Sequence, residues 1–502
     1  MTAILTRRAI LLGATAFAGA ALADAPLTAL RPLARPELNS PAIAALSRPR
    51  AADFVVQAQL GGSVGYVVAD ARTGLVLERG NAAVPLPPAS VAKTMTTLYA
   101  LDALGAGYRF STRLIGTGSV ADGVLNGDLI LAGGGDPVLN ADHLATMAER
   151  LKQAGVRRVT GAFKVWGGAL PAIHEIDPAQ MQHLDYNPSI GGLNLNFNRV
   201  YFEWARTGGP TNGRYTISMD ARTDLVRPTV SSARMKVIDR DLPVYTYAAT
   251  DGVDDWTVAR SALGREGSRW LPVRNPALYA GDVFRSLALA QGLELAPAVS
   301  IEALPNGAEL VRLLSDPLSD IIQDMLKYST NLTAETLGLS ATVQRGGRPR
   351  DLATSAGLMS DWAATALGVR CQFVDHSGLN DASSISAEQM VKTLIAAAPA
   401  GQLRGLLKDI VLTDTEGDAL ANPPATVVAK TGTLNFVSAL AGYIRTTGGA
   451  DLCFAIFCAD PSSRSLALQS DEEVPEGARD WNHRAKRLQQ ELLQRWSAVY
   501  AG

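Results

Sequence analysis

The chain opens a β-sheet that it does not close. "SVGYVVADARTGLVLERG" (63–80) reads as two strand-like runs around a turn rich in Ala, Arg, Thr and Gly, hence a hairpin. An isolated hairpin is marginal in water and needs further strands. Near the other end, "ATVVAKTGTL", "VSALAGYIRT" and "DLCFAIFCAD" follow one another with short connections, and an antiparallel meander is their simplest assembly. A last helix, about 477–498, carries Trp481, Leu488, Leu492 and Trp496 on one face, suited to lie across a sheet. Opening hairpin, closing meander and terminal helix therefore make one sandwich-like unit, split in sequence by everything between them.

Prolines 85, 87 and 88 stop the hairpin. Val91, Met95 and Leu98 then recur at helical spacing, and Gly105 and Gly107 end that helix. From about residue 110 short strand-like pieces and turns dominate, with one clear helix, "NADHLATMAERLKQAG". Past about 295 longer helices return. "DPLSDIIQDMLKYSTNLTAETLGLSA" (316–341) reads as helix, short break, helix. The expected fold is α+β: an antiparallel sheet flanked by helices over 41–105 and 296–502, interrupted by a mixed, mostly β insertion at 106–295.

With a formal net charge of −2, the chain has no general electrostatic attraction to nucleic acid or anionic lipid. Its start is more specific. Arg7 and Arg8 precede an apolar run from Ala9 to Ala23, too short to span a bilayer comfortably. Ala21-Leu22-Ala23 before Asp24 is a small-x-small cleavage signal. Residues 1–23 read as a bacterial export signal, and Thr6-Arg7-Arg8 suits the twin-arginine route as well as the general one. The expected location is periplasmic, with no lipid anchor at the cleavage point and no C-terminal membrane anchor. The stretch 24–50, rich in Pro and Ala, leads into the first domain. Three cysteines do not make a disulfide scaffold. Cys453 and Cys458, five apart on one strand, point to opposite faces and should not pair.

Three short motifs carry chemistry: Ser90-x-x-Lys93, Ser329-Thr330-Asn331 and Lys430-Thr431-Gly432-Thr433. Singly each is weak, because a serine at a helix start is usually a cap and a lysine usually a solvated side chain. Lysine is scarce here, however, nine against thirty-seven arginines, and each pattern occurs once. The motifs also fall at a helix start, in a break between helices and on a strand, the contexts that one serine acyl-transfer mechanism demands. A serine hydroxyl needs a base. Lys93 shares a helix face with Ser90 and can act as that base if burial and a nearby cation such as Lys430 favour its neutral form. Ser329 can bridge the two lysines, and Asn331 can fix the substrate backbone. Gly432 lets an extended peptide approach the strand. The amides of Ser90 and Thr433 are candidate oxyanion donors, and Thr431, Thr433 and Lys430 candidate carboxylate holders.

On these motifs the chain resembles the penicillin-recognising serine acyl enzymes. Within them it resembles the class C low-molecular-mass penicillin-binding proteins, the D-alanyl-D-alanine carboxypeptidase/endopeptidase family of S13 type. The 235 residues between Lys93 and Ser329 far exceed the segment of a typical serine β-lactamase. They match a family that inserts two extra domains there. "GGGDPVL" (133–139), "YNPSIGGLNLNFN" (186–198), "VDHSGLN" (374–380) and "AKTGTLNFVSALAGYI" resemble family segments. The resemblance implies a penicillin-binding domain with Ser90, Lys93, Ser329, Asn331 and Lys430 catalytic and Thr431, Gly432 and Thr433 substrate-binding. It implies peptidoglycan stem peptides as substrates, β-lactams as covalent inhibitors, and no cofactor or metal. Asp177 and Asp185 are the candidates for reading the diamino-acid side chain. The chain departs from the family pattern at His376, where Gly is common, at Thr330, where Asp is frequent, and over 405–425.

"GGSVG" (61–65) fits a nucleophile elbow, but a strand follows it where a helix is needed. His174-Glu175 is half a zinc motif with Pro178 in place of the second histidine. Two rivals stay open on sequence: a β-lactamase or esterase using the same residues, and a peptidoglycan-binding protein with a dead site. Stable labelling, rapid turnover or no labelling by a fluorescent penicillin separates the three.

Overall fold

In the computed structural model the described residues are 49–209, 213–398 and 401–501. The leader expected over 1–23 lies outside them. The chain enters through helix α1 (Ala51–Gln57), and strands β1 (Ser63–Asp70) and β2 (Val76–Gly80) pair antiparallel as the expected hairpin. "GGSVG" is the entry to β1. Helix α2 (Ala92–Leu104) follows a single 3-10 turn, Ala89–Val91, and ends at Gly105, whose positive φ closes it.

The middle of the chain builds three larger sheets. Strands β3 (Ser111–Gly116) and β4 (Leu129–Ala132), helix α3 (Ala141–Gln153) and β5 (Phe163–Trp166) come first. Next are β6 (Arg199–Thr207), β7 (Arg214–Asp220), β8 (Ala233–Ile238), β9 (Tyr245–Thr250), β10 (Val253–Ala259) and β11 (Glu266–Pro272). Helix α4 (Pro276–Ala290), β12 (Val299–Ser300) and β13 (Ala308–Leu314) complete the region. The sheets run β12-β5-β4-β3-β13, β7-β6-β11 and β8-β10-β9. Leu114, Leu129, Leu144, Phe163, Phe202, Trp256 and Phe284 share one core. Helix α4 is a second helix where the sequence suggested one. Its buried Tyr279, Ala280, Gly281, Val283 and Phe284 lie on several sides, so no polar stripe reveals the period, although Pro276 at its first turn is a start signal.

The C-terminal part supplies α5 (Leu318–Tyr328), α6 (Asn331–Gln344), α7 (Leu352–Trp362) and α8 (Ala387–Ala397). Then come β14 (Lys408–Asp409), β15 (Ala425–Leu434), β16 (Val437–Thr446), β17 (Asp451–Ala459), α9 (Pro461–Leu468) and α10 (Ala478–Val499). The six-stranded sheet is ordered β14-β15-β16-β17-β1-β2. The meander therefore finishes the sheet that the hairpin began, with β17 against β1 antiparallel from Ser63↔Ala459 to Asp70↔Leu452. Both faces of β17 are covered. Cys453 faces the core of α2 and α5–α8, and Cys458 faces the core of α10, with Leu488, Leu492 and Trp496. Both thiols are free. Trp496 Nε1 donates to Glu78 Oε2 at 3.0 Å, tying the last helix to β2. No helix among the described residues is long and apolar enough to cross a membrane.

Candidate active site

The 3-10 turn runs directly into α2, so Ser90 and Lys93 lie three residues apart on one face. Lys93 Nζ is 2.8 Å from Ser90 Oγ, 2.8 Å from Asn331 Oδ1 and 2.9 Å from the Ser377 carbonyl. Asn331 Nδ2 donates to the Tyr186 carbonyl at 2.9 Å, which orients the amide with its oxygen toward Lys93. The geometry bears on the proton. Asn331 Oδ1 and the Ser377 carbonyl only accept, so they take both N–H bonds of a neutral amine and leave its lone pair facing the Ser90 hydroxyl.

Burial supplies the neutral form. Lys93 is 0 % exposed, and desolvation brings its ammonium down to about 7 against the opposing pull of Glu335 and Asp375. Lys430 is 1 % exposed. Burial first, then Lys93, then Lys408, push it well below the usual lysine range. Its Nζ donates to Ser329 Oγ at 2.9 Å and to the Thr431 carbonyl at 2.7 Å.

The second motif spans a break of two residues, Ser329 and Thr330, between α5 and α6. Ser329 caps α5 with φ +62°, Thr330 is extended, and Asn331 starts α6. A non-glycine residue in the left-handed region costs roughly 1–2 kcal/mol, and here that conformation sets Ser329 against Lys430. Thr330 makes no capping bond, so its identity is free of that constraint. Strand β15 passes so close to the nucleophile turn that a Cβ on Gly432 would stand 2.6 Å from the Pro88 carbonyl and 2.9 Å from the Ser90 nitrogen.

The three motifs thus converge. Ser90, Ser329, Asn331 and Thr433 line one cavity of ≈ 350 Å³, walled also by Leu184 and Tyr186 of the middle region and by Arg464 of α9. Neither lysine lines it; each reaches it through the serine it touches. Asp177 and Asp185 do not line it either. Asp177 is buried and accepts from Asn380 Nδ2 at 3.2 Å and Gln180 Nε2 at 2.8 Å, while Asp185 accepts from Arg199 Nη1 at 2.9 Å.

Four functional elements were not assigned from sequence. Glu335, one turn beyond Asn331 on α6, accepts from the backbone amides of His376 (2.9 Å) and Ser377 (2.8 Å). It thereby holds the carbonyl that Lys93 donates to, and the i, i+4 spacing from Asn331 is the signal that locates it. Asp375 accepts from the Ser383 hydroxyl at 2.6 Å and the Asn380 amide at 2.9 Å, fixing the same loop. Burial raises both carboxyls, so the pair retains a proton more readily than free carboxylates. Tyr186 contributes its carbonyl. Arg464 is 4 % exposed; its Nε donates to Asp381 Oδ2 at 3.3 Å and its Nη2 has no hydrogen-bond partner. His376 fits because of Gly338 on α6, where any Cβ would overlap the imidazole. Its Nε2 lies 2.8 Å from Ser355 Oγ, and burial lowers it to about 3.

Residues 50–473 match the D-Ala-D-Ala carboxypeptidase 3 (S13) family. A D-alanyl-D-alanine carboxypeptidase of Actinomadura sp. (strain R39) is 28% identical over 462 residues, covering 84% of each chain. D-alanyl-D-alanine carboxypeptidase DacB of Haemophilus influenzae is 23% identical over 415 residues, covering 79% of this chain and 85% of its own. The crystal structure of penicillin binding protein 4 (dacB) from H. influenzae has the same fold, with TM-score 0.72 at 20% identity over 89% of this chain and 100% of that one. With the family's match spanning all three motifs, the chain belongs to the D-Ala-D-Ala carboxypeptidase 3 (S13) family.

Proposed function

We propose that the chain is a bacterial serine DD-carboxypeptidase and DD-endopeptidase that cleaves peptidoglycan stem peptides through a Ser90 acyl-enzyme. The observation that carries this is Lys93 Nζ, buried, 2.8 Å from Ser90 Oγ, with its other two contacts acceptors only. Ser90 Oγ attacks the carbonyl carbon of the penultimate D-alanine as its proton passes to Lys93. The oxyanion lies between the amides of Ser90 and Thr433. The C–N bond breaks, and the leaving amine takes a proton through Ser329, backed by Lys430. Water then attacks the ester carbonyl, the C–O bond to Ser90 breaks, and Ser90 Oγ regains its proton.

The rest of the cavity suits an anionic acyl donor. Arg464 borders this cavity and its Nη2 is buried without a hydrogen-bond partner, and a desolvated guanidinium favours a carboxylate. This supports Arg464 as the reader of the diamino-acid side chain over Asp177, both of whose oxygens accept hydrogen bonds, and over Asp185, which is held by Arg199. β-Lactams, which mimic the terminal dipeptide, should trap Ser90; the H. influenzae protein has been crystallised with one. Residues 1–23, read as an export signal, support a periplasmic location.

The test is incubation of the purified protein with a fluorescent penicillin and with a D-Ala-D-Ala-terminated stem peptide. Stable labelling with release of D-alanine is expected. Rapid turnover of the penicillin without D-alanine release would favour a β-lactamase, and neither activity would leave only a binding protein.

A further inference from the structure

A second cavity, of ≈ 540 Å³, lies on the other side of the third motif, lined by Thr431 and Thr433 of β15 and by Lys486, Gln490 and Gln494 of α10. Thr433 also borders the cavity that holds Ser90, so the two meet at that residue. Lys430 reaches Ser329 and Gly432 packs against the Ser90 turn while also bordering the second cavity; Thr431 lines only the second, and Thr433 lines both. Strand β14 pairs with β15 only at Lys408↔Ala429 and Asp409↔Val428, so the edge from Lys430 to Leu434 has no strand partner there.

The walls are held in place. Gln490 Oε1 accepts from the Thr413 amide at 3.2 Å and its Nε2 donates to the Val411 carbonyl at 3.0 Å; Gln494 Nε2 donates to the Thr413 carbonyl at 2.6 Å. The loop before β15 is thereby laced to α10. Lys486, exposed beside it, makes no ion pair or hydrogen bond among the described residues.

The direction of the reaction assigns the space. Ser90, Asn331 and Ser329, which passes the proton to the departing amine, border only the first cavity, which therefore holds the scissile bond. Thr431, next to Lys430 on β15, borders only the second, so a chain that continues beyond the departing amine past Thr433 enters it. A leaving D-alanine brings a methyl group, which needs a small fraction of this volume. A cross-linked substrate brings an amine whose residue continues as a long side chain into another peptide.

We propose that the second cavity binds the amine-side half of a cross-linked stem-peptide dimer, with Lys486 facing an acidic group of that peptide. The assignment rests on the Ser90 acyl-enzyme reading above. It makes cleavage of cross-links depend on a surface that trimming of single stems does not use.

The test compares purified unaltered protein with Lys486→Glu, which reverses the charge, and Lys486→Trp, which fills the space. Each is assayed on a cross-linked muropeptide dimer, on an uncross-linked pentapeptide and with fluorescent penicillin. Both variants should lose at least tenfold in kcat/KM on the dimer, mainly through KM, and stay within twofold on the pentapeptide and in penicillin labelling. Equal effects on both substrates, or an unchanged dimer rate, would overturn the proposal. So would unaltered protein that trims the pentapeptide and takes the label yet leaves the dimer intact. Unaltered protein with no label and no D-alanine release would overturn the acyl-enzyme reading itself and this assignment with it.

Discussion

Lys93 and Lys430 are both buried, each holds a different serine, and neither has a carboxylate within hydrogen-bond distance among the described residues. A buried ammonium is costly unless paired. Crowding two of them without direct counter-ions favours a neutral amine, and a neutral amine beside a serine is a base. The carboxyls that do act on Lys93, Glu335 and Asp375, are held off it by the 375–378 loop and act only through space.

Replacing Lys93 with alanine should reduce penicillin acylation by about 10²–10⁴-fold, the range of a general base. Circular dichroism and the melting temperature should show an intact fold, because the lysine is not held by an ion pair. Near-normal labelling of the variant would remove Lys93 as the base.

The pH dependence follows from the direction of the shift. Lys93 is lowered to about 7, so it is neutral above that pH and protonated below it. The second-order acylation rate should be level above about pH 7 and fall about tenfold per unit below it. Stopped-flow acylation across pH 5–9 is the measurement.

Gly338 and His376 should behave as a pair. Gly338→Ala forces a methyl into the imidazole, and overpacking of this kind costs about 1–3 kcal/mol. His376→Ala in the same chain removes the overlap, so the double variant should recover part of that loss, with a coupling of about 1 kcal/mol or more in urea unfolding. His376 adds a pH signature. Its folded pKa, near 3, is below the unfolded value of about 6.5. The unfolded chain therefore binds the proton first, and stability contributed by this group is lost as pH falls from 6.5 toward 3. In His376→Ala the urea midpoint should depend less steeply on pH across that window.

Arg464→Ala should raise KM for stem peptides bearing an acidic third-residue side chain by about tenfold or more and leave penicillin labelling little changed. A peptide whose side chain is amidated should not distinguish the two proteins. Equal loss on both peptides would make Arg464 a structural partner of Asp381 instead.

Much of this was legible in the sequence where local chemistry dominates. The helix start before Lys93, the break at Ser329 and the strand through Lys430 follow from prolines, glycines and periodicity, and the strand order joins a hairpin to a meander as the patterning suggested. What escaped depends on contacts between distant segments. Ser377 acts through a backbone carbonyl, which no side-chain motif advertises. Glu335 reads as one more helix residue until the 375–378 loop lies against it. Arg464 is notable only because it is buried with a donor unused. His376 departs from the family pattern, and only the fold shows that Gly338, 38 positions earlier, makes its space. Asp177 and Asp185, the candidates that charge alone suggests, accept from Asn380 and Arg199 and lie outside the lining of the Ser90 cavity.

The most direct test is to locate the acyl group. Purified protein is treated with penicillin, and the modified peptide is identified by mass spectrometry, with Ser90→Ala alongside. One equivalent on Ser90, and none on the variant, is the predicted result. A label on any other residue, equal labelling of Ser90→Ala, or no adduct under conditions that label an authentic penicillin-binding protein would contradict the account.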